Sequence, residues 1–237
     1  SVISGRSELF AAERAFLGSL QAQGYSAAVV YDIGASTGVW SETILPVFPR
    51  ADYYLFEPLV SHPIYARELT SRLLRLGQLH LHPVALGEAN GEATLAVAVD
   101  AYGSSLLDRG DCPVIQARQS VPVRRLDDYA REQGLPPPGV VKIDCQGFED
   151  AILRGGSETI SQADVLLMET WLERGYGPQT PLLPEIIDQV KLLGFTLVEF
   201  GERFYDERHR LYSVDGFFLA ERMLGRFGFR SAGYNLT

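Results

Sequence analysis

The chain has 237 residues, 46% of them hydrophobic and 22% charged, with a formal net charge of −9. That length and balance fill one α/β core, and an acidic surface repels a phosphate backbone, which argues against nucleic acid as a partner. No apolar run reaches the roughly 18 residues of a membrane span and the start lacks a charged-then-apolar leader pattern. The expectation is a cytoplasmic protein without membrane contact, folded as a single domain over residues 1–237. Two cysteines, Cys112 and Cys145, make no disulfide framework. Of the 21 basic residues only Lys142 and Lys191 are lysines, which singles out Lys142 even if the bias is one of lineage composition.

In chain order, residues 8–23 place Leu9, Phe10, Phe16, Leu17 and Leu20 at helical spacing with Gly24 as a stop, so residues 1–26 read as a helical cover. A buried strand over residues 27–31 runs into Asp32-Ile33-Gly34-Ala35-Ser36-Thr37-Gly38, and a helix follows as far as Pro49. Residues 52–56 form a second strand ending at Glu57-Pro58, residues 62–76 a helix and residues 79–86 a third strand. Residues 92–126 interrupt the alternation with two β-prone runs, an inserted and partly exposed ribbon in which Pro122 marks an edge strand. A short helix and the run Pro136-Pro137-Pro138-Gly139 lead into a fourth core strand, residues 140–144. A helix stopped by Gly155-Gly156, an apolar strand over 164–170 and a helix over 184–193 follow. Strands over 195–200 and 216–220 around a charged loop close the chain. The pattern is a doubly wound parallel sheet finished by an antiparallel hairpin.

Ligands of such sheets lie outside the carboxyl ends of the strands, where the strand order reverses. The strand ends here carry Asp32, Glu57, Asp144 and Glu169, four acids that packing does not require. The loop containing Gly34, Ala35, Ser36 and Gly38 brings backbone N–H groups and a helix start around a small ligand. Asp32, two residues before the first glycine, suits a cationic ligand and not a pyrophosphate. Glu57 follows that glycine by about the 20 residues that set an acid on a ribose diol. Lys142 and Asp144 share a strand face, so the lysine either holds and orients the aspartate or forms a structural ion pair with it. Asp144 and Glu169 could together hold a divalent cation such as Mg2+, or Glu169 could simply cap a loop. His80 and His82 share a strand face without the further ligands of a zinc site. Trp40, Trp171, Tyr176, Phe204, Tyr205 and Tyr212 are pocket or lid candidates, or core. No tyrosine is followed four residues later by lysine, so an NAD(P)-dependent hydride-transfer reading lacks its acid-base pair.

Asp32-x-Gly34-Ala35-x-x-Gly38, Glu57-Pro58, Ala85-Leu86-Gly87 with Gly91-Glu92-Ala93, Ser104-Ser105-Leu106, Leu126-Asp127 and the block Lys142-Ile143-Asp144-Cys145-Gln146-Gly147-Phe148-Glu149 together resemble the FkbM family of S-adenosylmethionine-dependent methyltransferases. The likeness runs in order from about residue 29 to 220 and departs at Gln146, where the family commonly has glutamate. It implies the class I methyltransferase fold, Rossmann-like, with a seven-stranded sheet and an antiparallel last strand. It further implies S-adenosylmethionine held by Asp32, Gly34, Ala35, Ser36, Gly38, Glu57, Pro58, Ala85, Leu86 and Asp144. The implied reaction is O-methylation of a hydroxyl on a sugar, glycoside or natural product, with Asp144 as base or base-orienter beside Lys142. A methyltransferase-fold protein that only binds or scaffolds is the other reading.

Overall fold

The computed structural model describes residues 9–99, 103–107 and 113–229; the expectations for residues 1–8 and for Cys112 lie outside them. In chain order the elements are α1 (Ala11–Ala22), β1 (Val29–Ile33), α2 (Val39–Ile44), β2 (Asp52–Phe56), α3 (Pro63–Arg75), β3 (Leu79–His82), β4 (Ala85–Leu86) and β5 (Gly91–Ala98). There follow β6 (Ile115–Arg124), α4 (Leu126–Gln133), β7 (Val140–Ile143), α5 (Glu149–Gly155), α6 (Ser157–Ile160), β8 (Val165–Trp171), α7 (Leu183–Leu192), β9 (Phe195–Tyr205), β10 (Leu211–Ala220) and α8 (Glu221–Leu224).

Seven strands form one sheet in the order β3-β2-β1-β7-β8-β10-β9. β1, β7 and most of β8 are buried on both faces, which is why they read as unbroken apolar runs. Every pairing from β3 to β8 is parallel, and β10 runs antiparallel to both its neighbours. The expected antiparallel strand is therefore present, but it lies inside the sheet, and β9 is the edge. The order reverses between β1 and β7, where Asp32 sits opposite Lys142 and Ile33 opposite Ile143. On one face Phe16, Leu17 and Leu20 of α1 pack with α2 and α3 over Val30, Val140, Leu167 and Phe217. The Phe16 and Phe217 rings are 4.9 Å apart. The opposite face buries Tyr129, Ile152, Ile186 and Val190 of α4, α5 and α7.

Three expectations need correction. Residues 79–86 are not one strand: at Pro83 the chain turns, Val84 N–H donating to His82 O at 2.9 Å, and Ala85 and Leu86 leave the main sheet to pair with Val123 and Arg124. The inserted ribbon is thereby a three-stranded sheet in the order β4-β6-β5, with Pro122 on its central strand. Proline is tolerated because β4 reaches only Val123 and Arg124, so at Pro122 the strand has β5 alone as neighbour. The closing hairpin also extends well into the charged segment, because its outer halves need only one buried face.

Candidate active site

A cavity of about 500 Å³ opens at the carboxyl ends of β1, β2 and β7. Gly34, Ala35, Ser36, Glu57, Pro58, Ala85, Leu86 and Asp144 all line it, so eight of the ten sequence-selected cofactor positions converge there. The other two serve it from behind. Asp32 is fully buried under the loop, its Oδ2 accepting from Ser41 Oγ at 2.7 Å and its Oδ1 3.2 Å from Lys142 Nζ, an ion pair without hydrogen-bond alignment. The expectation that Asp32 faces a cationic ligand is corrected: it anchors the loop to α2 and β7. Gly38 enters α2 in a left-handed conformation (φ 78°) against Leu55 and Leu69.

The loop's donors are spent on the fold, a second correction. Gly34 and Ala35 N–H both donate to Phe56 O (3.0 and 3.2 Å), and Gly38 N–H to Ala35 O (2.7 Å). Ser36 N–H donates to Glu57 Oε2 and Leu59 N–H to Glu57 Oε1, each at 2.8 Å. The cradle is thus a shape and not a ring of free N–H groups, which suits a ligand other than a pyrophosphate. Burial pushes the Glu57 carboxyl up to about 6, with the two backbone bonds and the Lys142 charge opposing the rise. Each of its oxygens keeps a lone-pair site for a further donor. Gly34 has φ 73°, and a Cβ there would lie 2.0 Å from the Asp144 carbonyl oxygen. The glycine is required by the close approach of the β1 and β7 ends, and only indirectly by a ligand.

The block from Lys142 to Glu149 resolves into separate tasks. Lys142 Nζ donates to Gly34 O at 2.8 Å and stands 3.7 Å from Asp144 Oδ2. Burial works against its charge, but the carboxylates of Asp32 and Asp144 more than offset this and raise its pKa above the ordinary lysine value. The lysine is therefore both an ion-pair partner and a clamp on the glycine loop. Gln146 and Gly147 are both left-handed (φ 54° and 94°), turning the chain sharply after Asp144. Glu149 closes that turn by accepting from Cys145 N–H (3.0 Å) and Gly147 N–H (3.1 Å) through Oε1. Burial raises the Glu149 pKa to about 7. Burial also raises the Cys145 thiol well above its usual value, which leaves it a packing residue.

Gln146 is the hub of the site, a role its lost charge concealed. Its Nε2 donates to Asp144 Oδ1 at 2.7 Å and to Glu169 Oε2 at 3.1 Å, while its Oε1 accepts from Tyr176 OH. Its carbonyl oxygen accepts from Ser105 Oγ at 2.7 Å, tying the small sheet to the turn. Asp144 and Glu169 do come together, bridged by the amide of Gln146. Among the described residues no group of three or more His, Cys, Asp or Glu is arranged to hold a metal ion. His80 and His82 are occupied by Asp52 and Tyr129. Of the aromatic candidates, Trp40 lines the large cavity and Phe204 a smaller one. Trp171 packs between Tyr176 and Tyr212, 5.0 and 6.1 Å between centroids.

The smaller cavity, about 60 Å³, shares Phe10, Lys142 and Asp144 with the large one and is lined by Glu13, Glu169, Glu202 and Asp215. Sequence reading missed Glu13, although it shares the apolar stripe of Phe16, Leu17 and Leu20, an anomalous place for a carboxylate. It also gave no site role to Phe10 and Leu95, cavity walls from segments remote from the motifs, or to Phe148 within the Lys142–Glu149 block.

A seven-stranded sheet with one inserted antiparallel strand and a cavity at its switch point is the class I methyltransferase fold. The methyltransferase FkbM domain model matches residues 32–197, and the chain belongs to that family. The 2-O-methyltransferase NoeI of Sinorhizobium fredii (strain NBRC 101917 / NGR234) is 28% identical over 167 residues, 65% of this chain and 68% of the relative. The crystal structure of methyltransferase FkbM from Methylobacillus flagellatus KT superposes with a TM-score of 0.50 at 18% identity. That match covers 81% of this chain and 44% of the other, so the chain spans less than half of that structure's length. Magnesium protoporphyrin IX methyltransferase from Synechocystis PCC 6803, solved with bound SAM, gives 0.49 at 14% identity, covering 92% and 85%.

Proposed function

We propose that this methyltransferase takes S-adenosylmethionine in the large cavity and transfers its methyl group to a hydroxyl of a small molecule, a sugar, glycoside or natural-product scaffold, in the cytoplasm. The observation that carries the reading is the shared wall: Asp144 borders both the cradle of Gly34, Ser36 and Glu57 and the polar cavity beside it. The fit to the cofactor rests on the chemistry of the donor set. Glu57 has one free lone-pair site on each oxygen for two vicinal hydroxyls, and Ser36 Oγ and Trp40 Nε1 in the cavity wall are buried without partners. Bound there, the cofactor supplies a methyl already activated by its sulfonium.

The remaining tasks fall to the chain. Asp144 is oriented by Gln146 through Oδ1, which leaves Oδ2, on a side chain 35% exposed, to accept the hydroxyl proton. Lys142 balances the charge while clamping the loop through Gly34 O. Holding acceptor oxygen and methyl in one geometry supplies most of the acceleration. The 2-O-methyltransferase name of one relative supports oxygen as the acceptor. Calorimetry with S-adenosylmethionine, S-adenosylhomocysteine and NAD tests the cofactor, and methyl transfer to a panel of hydroxylated acceptors tests the reaction. Binding of NAD alone would overturn the first part, and cofactor binding without turnover on any acceptor the second, leaving a binding role.

A further inference from the structure

The small cavity contains an unusual excess of acid. Glu13 comes from α1, Glu169 from β8, Glu202 from β9 and Asp215 from β10, with Asp144 on the side of the methyl-transfer centre. Glu169 and Asp215 are direct cross-strand partners, an arrangement of like charges that costs stability. Among the described residues the wall has one basic side chain, Lys142, which directs its ammonium to Gly34, Asp32 and Asp144. Glu13 is only 6% exposed, and among the described residues its Oε2 has no hydrogen-bond partner. A buried acceptor with no donor is costly for the free protein unless something supplies one.

We infer that this cavity binds a protonated amine of the acceptor, so that the substrate is an amino alcohol or amino sugar whose ammonium is held by Glu13, Glu169 and Asp215 while a neighbouring hydroxyl meets Asp144. An alkylammonium carries three N–H donors and no acceptor, which matches carboxylates arriving from three elements, and it removes their mutual repulsion. Neutral hydroxyls would satisfy single lone pairs without cancelling that charge. The volume of about 60 Å³ admits a small cationic group but not a sugar ring, so the subsite anchors one end of the acceptor. Burial first, then neighbouring acids, lifts Glu13 to about 7 and Asp215 to about 8, and raises Glu169 well above its usual value.

The inference rests on Asp144 facing the transfer centre, and its test separates the two. Protein saturated with S-adenosylhomocysteine is titrated calorimetrically with glucosamine, glucose and methylammonium. Glucosamine should bind at least tenfold more tightly than glucose, with methylammonium competing. Glu13→Gln and, separately, Asp215→Asn should each remove that preference while leaving S-adenosylhomocysteine affinity unchanged. Melting curves of both variants verify that they fold. Equal affinity for the two sugars, no binding of any of the three probes, or a preference that survives in both folded variants would overturn the amine subsite. Failure to bind S-adenosylhomocysteine would instead count against the cofactor reading, and the amine titration is then read on the free protein.

Discussion

The two halves of the sheet's carboxyl edge treat their polar groups in opposite ways. Around β1, β2 and the turn after β7, the functional carboxylates are secured by backbone: Glu57 accepts from two N–H groups, and Glu149 from two more. On β8, β9 and β10 the acids meet across strands and a small cavity, which Glu13 also lines, its Oε2 without a donor among the described residues. The first half is the more finished: these carboxylates are held by the fold without a ligand, and the cavity wall leaves Ser36 Oγ and Trp40 Nε1 for one. The second is incomplete, so a ligand there contributes charge that the fold does not.

The largest effect expected on this contrast comes from the tightest point of the finished half. Gly34→Val adds a Cβ 2.0 Å from the Asp144 carbonyl at a left-handed φ, a combination of overpacking and backbone strain of about 2–5 kcal/mol. Chemical denaturation should show that loss, and a variant as stable as the parent would mean that the β1 and β7 ends do not approach as described. Next, Asp144→Asn should lower kcat by about 10²–10⁴-fold, the range for loss of a general base, at nearly unchanged cofactor affinity. Activity of the parent should persist in EDTA, because Gln146 occupies the bridge between Asp144 and Glu169; inactivation by EDTA with rescue by Mg2+ would reverse that assignment.

Glu57→Ala should weaken S-adenosylmethionine by about 1.5–3 kcal/mol, as for hydrogen bonds to a charged group, and should also loosen the loop, since Ser36 and Leu59 lose their acceptor. A titration with unchanged affinity would take Glu57 out of the cofactor site. The smallest effect is on pH. Glu57, Glu13, Glu149 and Asp215 have folded pKa values of about 6, 7, 7 and 8, above the ordinary carboxyl range of an unfolded chain, about 4. Between those limits the folded protein holds protons that the unfolded chain has released, so stability falls as pH rises from about 5 to 8. The melting temperature should therefore be higher at pH 5.5 than at pH 8, and Glu13→Gln should flatten the slope. A slope unchanged in that variant would move the effect to Asp215, Glu57 and Glu149.

The parts of the fold that were legible in sequence are those where one physical demand dominates. β1, β7 and β8 are buried on both faces and read as apolar runs that end in acids. Residues 79–86 misled because apolar alternation continues through Pro83, while the change of sheet depends on pairing with Val123 and Arg124, some 40 residues on. In the site, spacing located the loop, Glu57 and the Lys142–Glu149 block, since these are local. It could not tell that Asp32 points beneath the loop, because a strand-end acid beside a glycine turn reads alike from either side. Nor could it assign Gln146, whose partners Glu169, Tyr176 and Ser105 come from three other segments.

The acid-lined cavity draws Glu13, Glu202 and Asp215 from outside residues 32–197, the stretch that defines the family. On the proposed reading the methyl donor is held within that stretch, while the acceptor's anchor joins Asp144 and Glu169 from inside it to three acids from outside. That reading predicts that acceptor selectivity follows the opening helix and the closing hairpin. A chimera exchanging those two segments would carry selectivity between family members and leave the glycine loop, Glu57 and the Lys142–Glu149 turn untouched.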